Sequence, residues 1–163
     1  MLTDHRSVSL SYLSTNLEIL VHLDAIATLY QRDHNRFHIV LNNVEFSKIT
    51  DDTNFYFPTE NPEENGKNLI WLEISPFRVI MTQQNKNGVN YRHYWEKGIY
   101  GKSRYWLNEN GDGDQQNDSI YLRNFTRNLT LKGSSNPESL RIEYELWSNH
   151  LNLGHYVLHL EVN

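Results

Sequence analysis

Cysteine is absent from this chain of 163 residues. That single absence excludes disulfides, thiolate metal sites and cysteine nucleophiles together. It fits a reducing compartment, and the expected location is cytoplasmic. Long hydrophobic runs are missing too. No apolar stretch approaches the roughly 18 residues that a membrane-spanning helix needs, so no membrane partner is expected. The first residues lack the basic-then-apolar run of a signal peptide, because Asp4, His5 and Arg6 lead straight into alternating residues. Positive charge is also in short supply. Lysine and arginine total 15 against 20 acids, for a net charge of −5. Duplex affinity comes mostly from neutralising phosphates, so general nucleic-acid binding is not expected, although a local basic patch remains compatible with this balance.

Motifs of catalysis are equally scarce. There is no Gly-x-Ser-x-Gly elbow, no Gly-x-Gly-x-x-Gly, no phosphate-binding loop and no His-Glu-x-x-His. The sequence names no cofactor. Any catalytic triad or carboxylate pair would have to be assembled by the fold.

What the chain does have is aromatic residues, at 12%. Disordered chains are poor in aromatics, so a folded domain with a polar surface is expected. The length fits one domain spanning residues 1–163. Its dominant pattern is period two. Val8, Leu10 and Tyr12 alternate with serines. Leu17, Ile19, Val21, Leu23, Ala25, Ala27 and Leu29 continue the pattern against Glu18, His22, Asp24 and Thr28. The alternation predicts a strand over Leu17–Gln31, with Asp24 as a point where it bends into two. Helical spacing of Leu17, Leu20, Val21 and Asp24 after a capping Asn16 is the competing reading.

Phe37, Ile39 and Leu41 alternate next, and Val44 and Phe46 sit on the opposite parity. A β-bulge at Asn42-Asn43 or a simple loop accounts for the phase change. Thr50–Asn68 carries Pro58, Pro62 and Gly66 among acids and reads as a surface loop. Asn87-Gly88 is a strong hairpin signal, because a type I′ turn needs positive φ at both central residues. It predicts pairing of Phe77–Gln83 with Val89–Trp95. Gly98 and Gly101 then flank a second turn, with a return strand over Ser103–Leu107. Ile120–Leu131 alternates with Tyr121, Arg123, Phe125, Arg127, Leu129 and Leu131 on one parity. The last hairpin sets Leu140, Ile142, Tyr144 and Leu146 beside Tyr156, Leu158, Leu160 and Val162, with His155, His159 and Glu161 facing away.

Many short strands separated by turns predict an all-β fold: a single antiparallel β-barrel or β-sandwich, built as a meander of hairpins. A meandering barrel of this size resembles the calycins, the lipocalin-like ligand carriers. The Gly-x-Trp that many of them carry near the amino end is missing here, so the resemblance is one of fold.

The densest chemistry lies in residues 89–107. This stretch holds two of the four tryptophans and four of the ten tyrosines. Alternation puts Tyr91, His93 and Trp95 on one face and Arg92, Tyr94 and Glu96 on the other. On the return strand Arg104 and Trp106 oppose Tyr105 and Leu107. Tyrosine, tryptophan and arginine are enriched where proteins bind. The candidate binding residues are therefore Arg92, His93, Tyr94, Trp95, Tyr100, Arg104 and Trp106. Ordinary cross-strand packing of rings under arginine and lysine stems is the competing account.

Two other patterns point less far. Asn108, Asn110, Asp112 and Gly113 match the first half of an EF-hand calcium loop, but position twelve is Ser119 and the closing glutamate is missing. His155 and His159 share a strand face, yet four residues of strand separate them by about 13 Å, too far for one metal. No metal site is assigned. Three glycosylation sequons begin at Asn117, Asn124 and Asn128, and chance accounts for them in an asparagine-rich chain.

The expected function is a non-catalytic binding protein that uses the aromatic and basic hairpin for a small planar or acidic ligand or a protein partner. An enzyme with a small barrel or cleft site, built from His93, Arg92, Tyr94 and Glu96, is the alternative. A carbohydrate-binding module, with Trp95 or Trp106 stacked on a sugar ring, is a third.

Overall fold

Strand alternation becomes strand pairing along the chain. The computed structural model describes residues 2–14, 19–42, 47–48, 68–85, 89–107, 119–133 and 135–163. The strands are β1 (Leu2–Ser14), β2 (Ile19–Asp33), β3 (Arg36–Asn42), β4 (Ser47–Lys48), β5 (Leu69–Ile74), β6 (Arg78–Gln84), β7 (Val89–Glu96), β8 (Tyr100–Leu107), β9 (Ser119–Lys132), β10 (Ser139–Ser148) and β11 (Leu151–Val162). No helix occurs among the described residues.

Each strand pairs antiparallel with its neighbour in sequence order, apart from the two-residue β4, which adds to β2. β1 pairs with both β2 and β11, and that second pairing closes the sheet into a ten-strand barrel. Closure leaves no long unpaired edge, which removes the template for edge-to-edge aggregation. Of the two architectures expected, the barrel is the one found.

Leu17–Gln31 was the ambiguous segment, and it is strand from Ile19 onward. Val8 and Leu10 of β1 lie opposite Ala25 and Leu23, so both strands send one parity inward along their length. Asp24 does not split the strand, which runs uninterrupted from Ile19 to Asp33. Its carboxylate points outward, accepts a 2.6 Å hydrogen bond from Ser9 Oγ and lies 3.0 Å from His22 Nε2.

The predicted pairing of Phe77–Gln83 with Val89–Trp95 is present as β6 against β7, with Met81 opposite His93. The next turn is shorter than expected. Gly98 takes φ 80° there, and Gly101 already belongs to β8. A Cβ on Gly101 would sit 2.1 Å from the Tyr94 carbonyl oxygen. Glycine is needed at that position because the backbone of β7 passes too close for a side chain.

β9 departs from its expected parity. The register against β10 slips by one residue, so that Asn128 pairs with Glu143 but Thr126 with Tyr144. Arg127 is the extra residue of this bulge, and side chains before it change face. Asn124 and Thr126 therefore point inward, as do Leu129 and, beyond it, Leu131, while Tyr121, Arg123 and Phe125 face out. Arg127 Nε reaches Glu145 Oε1 at 2.9 Å on the outer surface.

The readings placed on Asn43, on residues 49–67, on Asn87-Gly88 and on the calcium-like loop from Asn108 to Asp114 lie outside the described residues.

The barrel interior is divided. From β2 to β6 it is apolar, with Leu23, Ala27, Leu29, Phe37, Ile39, Leu41, Ile70, Leu72, Ile74 and Val79 all buried. On β1 and β9 to β11 aliphatic side chains such as Leu10, Leu129, Ile142 and Leu158 are buried as well, and on β7 to β10 they are joined by His93, Trp95, Ser103, Asn124, Thr126 and Tyr144.

Candidate functional site

Alternation along β7 sends Tyr91, His93 and Trp95 into the barrel as a ladder of rings. Tyr91 and His93 stack with centroids 6.4 Å apart, and His93 and Trp95 stack at 5.0 Å. The ladder is graded: Tyr91 is half-buried, His93 is 5% exposed and Trp95 is 0% exposed. Tyr105 of β8 sets its ring edge-on to both Tyr91 and His93, at 5.1 and 5.6 Å. From the facing strands, Tyr144 packs against His93 and Trp95, at 6.0 and 5.1 Å. Tyr156 stacks on Tyr144 at 5.4 Å. Tyr12 of β1 completes the group by donating to Met81 Sδ at 2.9 Å.

The five tyrosines lie toward one end of the barrel. The strand ends that flank residues 15–18, 43–46, 86–88 and 108–118 are at this end, as is the Asn149-His150 turn. Tyr12, Tyr91, Tyr105 and Tyr156 keep some accessible surface there, whereas Tyr144 is 5% exposed. Their hydroxyls nevertheless sit in a desolvated space. Burial pushes the Tyr12, Tyr105 and Tyr144 hydroxyls well above the ordinary tyrosine range, with nearby tyrosines adding to it. Burial also raises Tyr91 and Tyr156. All five remain protonated donors at neutral pH.

A second polar group lies beneath them. Ser103 Oγ is 2.8 Å from His93 Nδ1, and Asn124 Nδ2 donates to the same oxygen at 2.9 Å. Burial lowers the His93 pKa to about 4, so the ring is neutral. Around it, Trp95 Nε1, Asn124 Oδ1 and Thr126 Oγ1 are buried without hydrogen-bond partners among the described residues. Buried polar groups are paired in the great majority of cases. One wall of this barrel therefore presents donors and acceptors beside flat rings.

The seven residues singled out from the sequence divide between two surfaces. His93 and Trp95 face the interior. Arg92, Tyr94, Tyr100, Arg104 and Trp106 face outward, because the intervening parity belongs to the outer face. An active site built from His93, Arg92, Tyr94 and Glu96 would need groups from both sides of one strand, and the barrel wall separates them. Trp95 is too deeply buried to stack on a sugar. Trp106 already carries the Arg104 guanidinium 4.6 Å above its ring.

Sequence reasoning passed over Tyr12, Tyr91, Tyr105, Tyr144 and Tyr156 as site residues. Each shares its parity with an inward neighbour, which was the available signal. Their convergence depends on the register of strands far apart in the chain. His155 and His159 lie on the outer face beside Glu145 and Glu161, at 3.4 and 3.1 Å. No group of three residues suited to a metal occurs among the described residues. Asn124 is 0% exposed, which removes its sequon from use in the folded chain.

No protein-family model and no curated protein matches this chain. Among solved structures it is similar to the crystal structure of ywiB protein from Bacillus subtilis, with a TM-score of 0.60 at 10% identity. That likeness covers 99% of this chain and 93% of the other, and it speaks to fold alone.

Proposed function

We propose that this is a non-catalytic binding protein that takes a small, flat molecule into the tyrosine-lined part of its barrel. The observation that carries the reading is the gathering of Tyr12, Tyr91, Tyr105, Tyr144 and Tyr156 around His93, beside the buried and unpartnered Trp95 Nε1, Asn124 Oδ1 and Thr126 Oγ1. Barrels of eight strands hold one small ligand in known carriers, and diameter grows with strand number. Rings on one side and aliphatic side chains on the other suit a planar body. Hydroxyl donors that resist ionisation suit carbonyl or ether oxygens on its edge.

The ligand class narrows to uncharged molecules. No arginine or lysine lies at the tyrosine end of the interior among the described side chains; Arg6, on the inward parity of β1 opposite Ala27, is toward the other end and is paired with Asp4 at 2.6 Å. His93 stays neutral. An anion would leave water for donors alone, without an opposite charge to offset desolvation. Acidic ligands belong with the outer surface instead.

Coumarin, a flat neutral lactone, serves as the test probe. Its fluorescence should change on titration into the protein, and its affinity should fall about 10-fold or more in Tyr105→Phe combined with Tyr144→Phe. That variant keeps both rings and removes two donors, each worth about 1 kcal/mol or more when buried. No change of fluorescence with coumarin or with a panel of flavones, in a protein that melts cooperatively, would overturn the reading.

A further inference from the structure

The outer face of β7, β8 and β9 has an electrostatic arrangement that the fold does not require. Arg92 and Arg104 are direct cross-strand partners. Lys102 and Arg123 are direct cross-strand partners in the adjoining row. Like charges directly opposite one another destabilise a sheet. No carboxylate lies within ion-pair distance of any of the four among the described residues. Adjacent strands are about 4.8 Å apart and alternate residues about 6.6 Å apart, so the four cations occupy one small patch. Of the described acids Glu96 shares the outer face of β7, four residues along from Arg92, where it accepts from Tyr94 Oη at 3.1 Å. Glu143, Glu145 and Glu161 lie on β10 and β11, Glu73 on β5, and Asp4, Asp24 and Asp33 on β1 and β2. Among the described residues these four cations form a concentrated basic patch in a chain whose net charge is −5.

Aromatic rings are interleaved with these cations. Arg104 lies 4.6 Å from the Trp106 ring centroid and 5.9 Å from that of Tyr121. Its Nε and Nη2 both donate to Ser119 Oγ, at 3.2 and 3.1 Å, which fixes the guanidinium plane. Arg123 lies 5.0 Å from the Tyr100 ring. Tyr100 and Tyr121 are 54% and 62% exposed. We infer that this face, centred on Arg92, Lys102, Arg104 and Arg123 with Tyr121, binds single-stranded nucleic acid. Cations alone would fit any polyanion. Exposed rings set among guanidinium groups favour one whose monomers also carry a flat face, because each base can stack while the neighbouring phosphate meets a cation. An acidic peptide would use the charges and leave the rings idle. A duplex hides its base faces. The surface is separate from the barrel interior, and neither proposal depends on the other.

The test is anisotropy of a labelled oligouridylate of about 12 nucleotides, with a duplex of equal length and polyglutamate as comparisons. Four neutralised phosphates on a single strand predict a log–log salt dependence of about −3. Arg92→Ala with Lys102→Ala should roughly halve that slope without lowering the thermal midpoint, since no described hydrogen bond or ion pair involves either side chain and each change relieves a like-charge pair. Tyr121→Ala should weaken the oligouridylate about 10-fold at every salt concentration and leave polyglutamate unaffected. The inference is overturned by absence of oligouridylate binding at low salt. It is also overturned by polyglutamate or duplex binding as tightly as the single strand, or by unchanged affinity in the Arg92 and Lys102 double variant.

Discussion

Ser103 Oγ lies 2.8 Å from His93 Nδ1 inside the barrel. Because the oxygen also accepts from Asn124 Nδ2, the serine proton is free to go to the ring. With one proton and two lone pairs, the hydroxyl can serve either tautomer of a neutral His93, donating to a bare Nδ1 or accepting from a protonated one. This arrangement suits a neutral imidazole and gives no counter-charge to a protonated one.

Stability should therefore fall on the acid side in a defined window. The ordinary histidine value is 6.5, and burial holds folded His93 near 4. Between these values the unfolded chain binds a proton that the folded chain refuses. The contribution is complete above pH 6.5 and is lost as the pH falls toward about 4. At 1.36 kcal/mol per unit it reaches about 3 kcal/mol. Urea melts across this range should show the loss in the native sequence and a much flatter profile in His93→Gln. A profile of the same steepness in both proteins would contradict the assignment.

Alkaline titration offers an independent check. Tyr12, Tyr105 and Tyr144 are held protonated by burial well above the usual value of 10. The folded protein should show its phenolate absorbance rising in two stages, with the interior tyrosines ionising only as the barrel unfolds. Because their folded pKa values are raised, these groups stabilise the barrel at lower pH and cease to do so as the pH climbs past 10. A single smooth titration of all ten tyrosines with the fold intact would show the interior to be wet.

The two tryptophans of the hairpin should behave differently. Trp95 is 0% exposed against Tyr144 and His93, so Trp95→Ala should cost about 3–5 kcal/mol. Trp106 lies half-buried on the outer face, and Trp106→Ala should cost roughly 1 kcal/mol or less. Equal losses in denaturant melts would mean that the faces have been exchanged.

Two glycines near the same turn separate backbone strain from close packing. Gly98 has φ 80° and open space around it, so Gly98→Ala should cost about 1 kcal/mol from the left-handed conformation alone. Gly101→Ala would place its methyl 2.1 Å from the Tyr94 carbonyl oxygen. The strands must part, and the loss should exceed that at Gly98. A tolerated Gly101→Ala would mean that β7 and β8 are not so closely apposed.

Much of the barrel was legible because strands wet on one side write their burial into the chain. Leu10 and Tyr12, or Leu158 and Leu160, alternate with polar residues because one face meets the core and the other meets water. The hairpin at residues 89–107 was less transparent. Both of its faces carry aromatic rings, so parity paired Tyr91 with His93 and Trp95 but did not say which set was inside. β9 misled for a related reason. Tyr121, Phe125, Leu129 and Leu131 share a parity, and only the slip at Arg127, fixed by pairing with β10, turns the first two outward. The tyrosine group was hidden at longer range. Tyr12 and Tyr144 are separated by most of the chain, and only closure of β1 on β11 brings them together.

The central claim is that a small planar molecule binds inside the barrel against these tyrosines. The most direct test is nuclear Overhauser spectroscopy on protein labelled only at tyrosine, with coumarin as the bound probe. The account predicts contacts from the probe to the rings of Tyr91, Tyr105, Tyr144 and Tyr156. Contacts confined to Tyr94, Tyr100 and Tyr121 would place the probe on the outer face and contradict it.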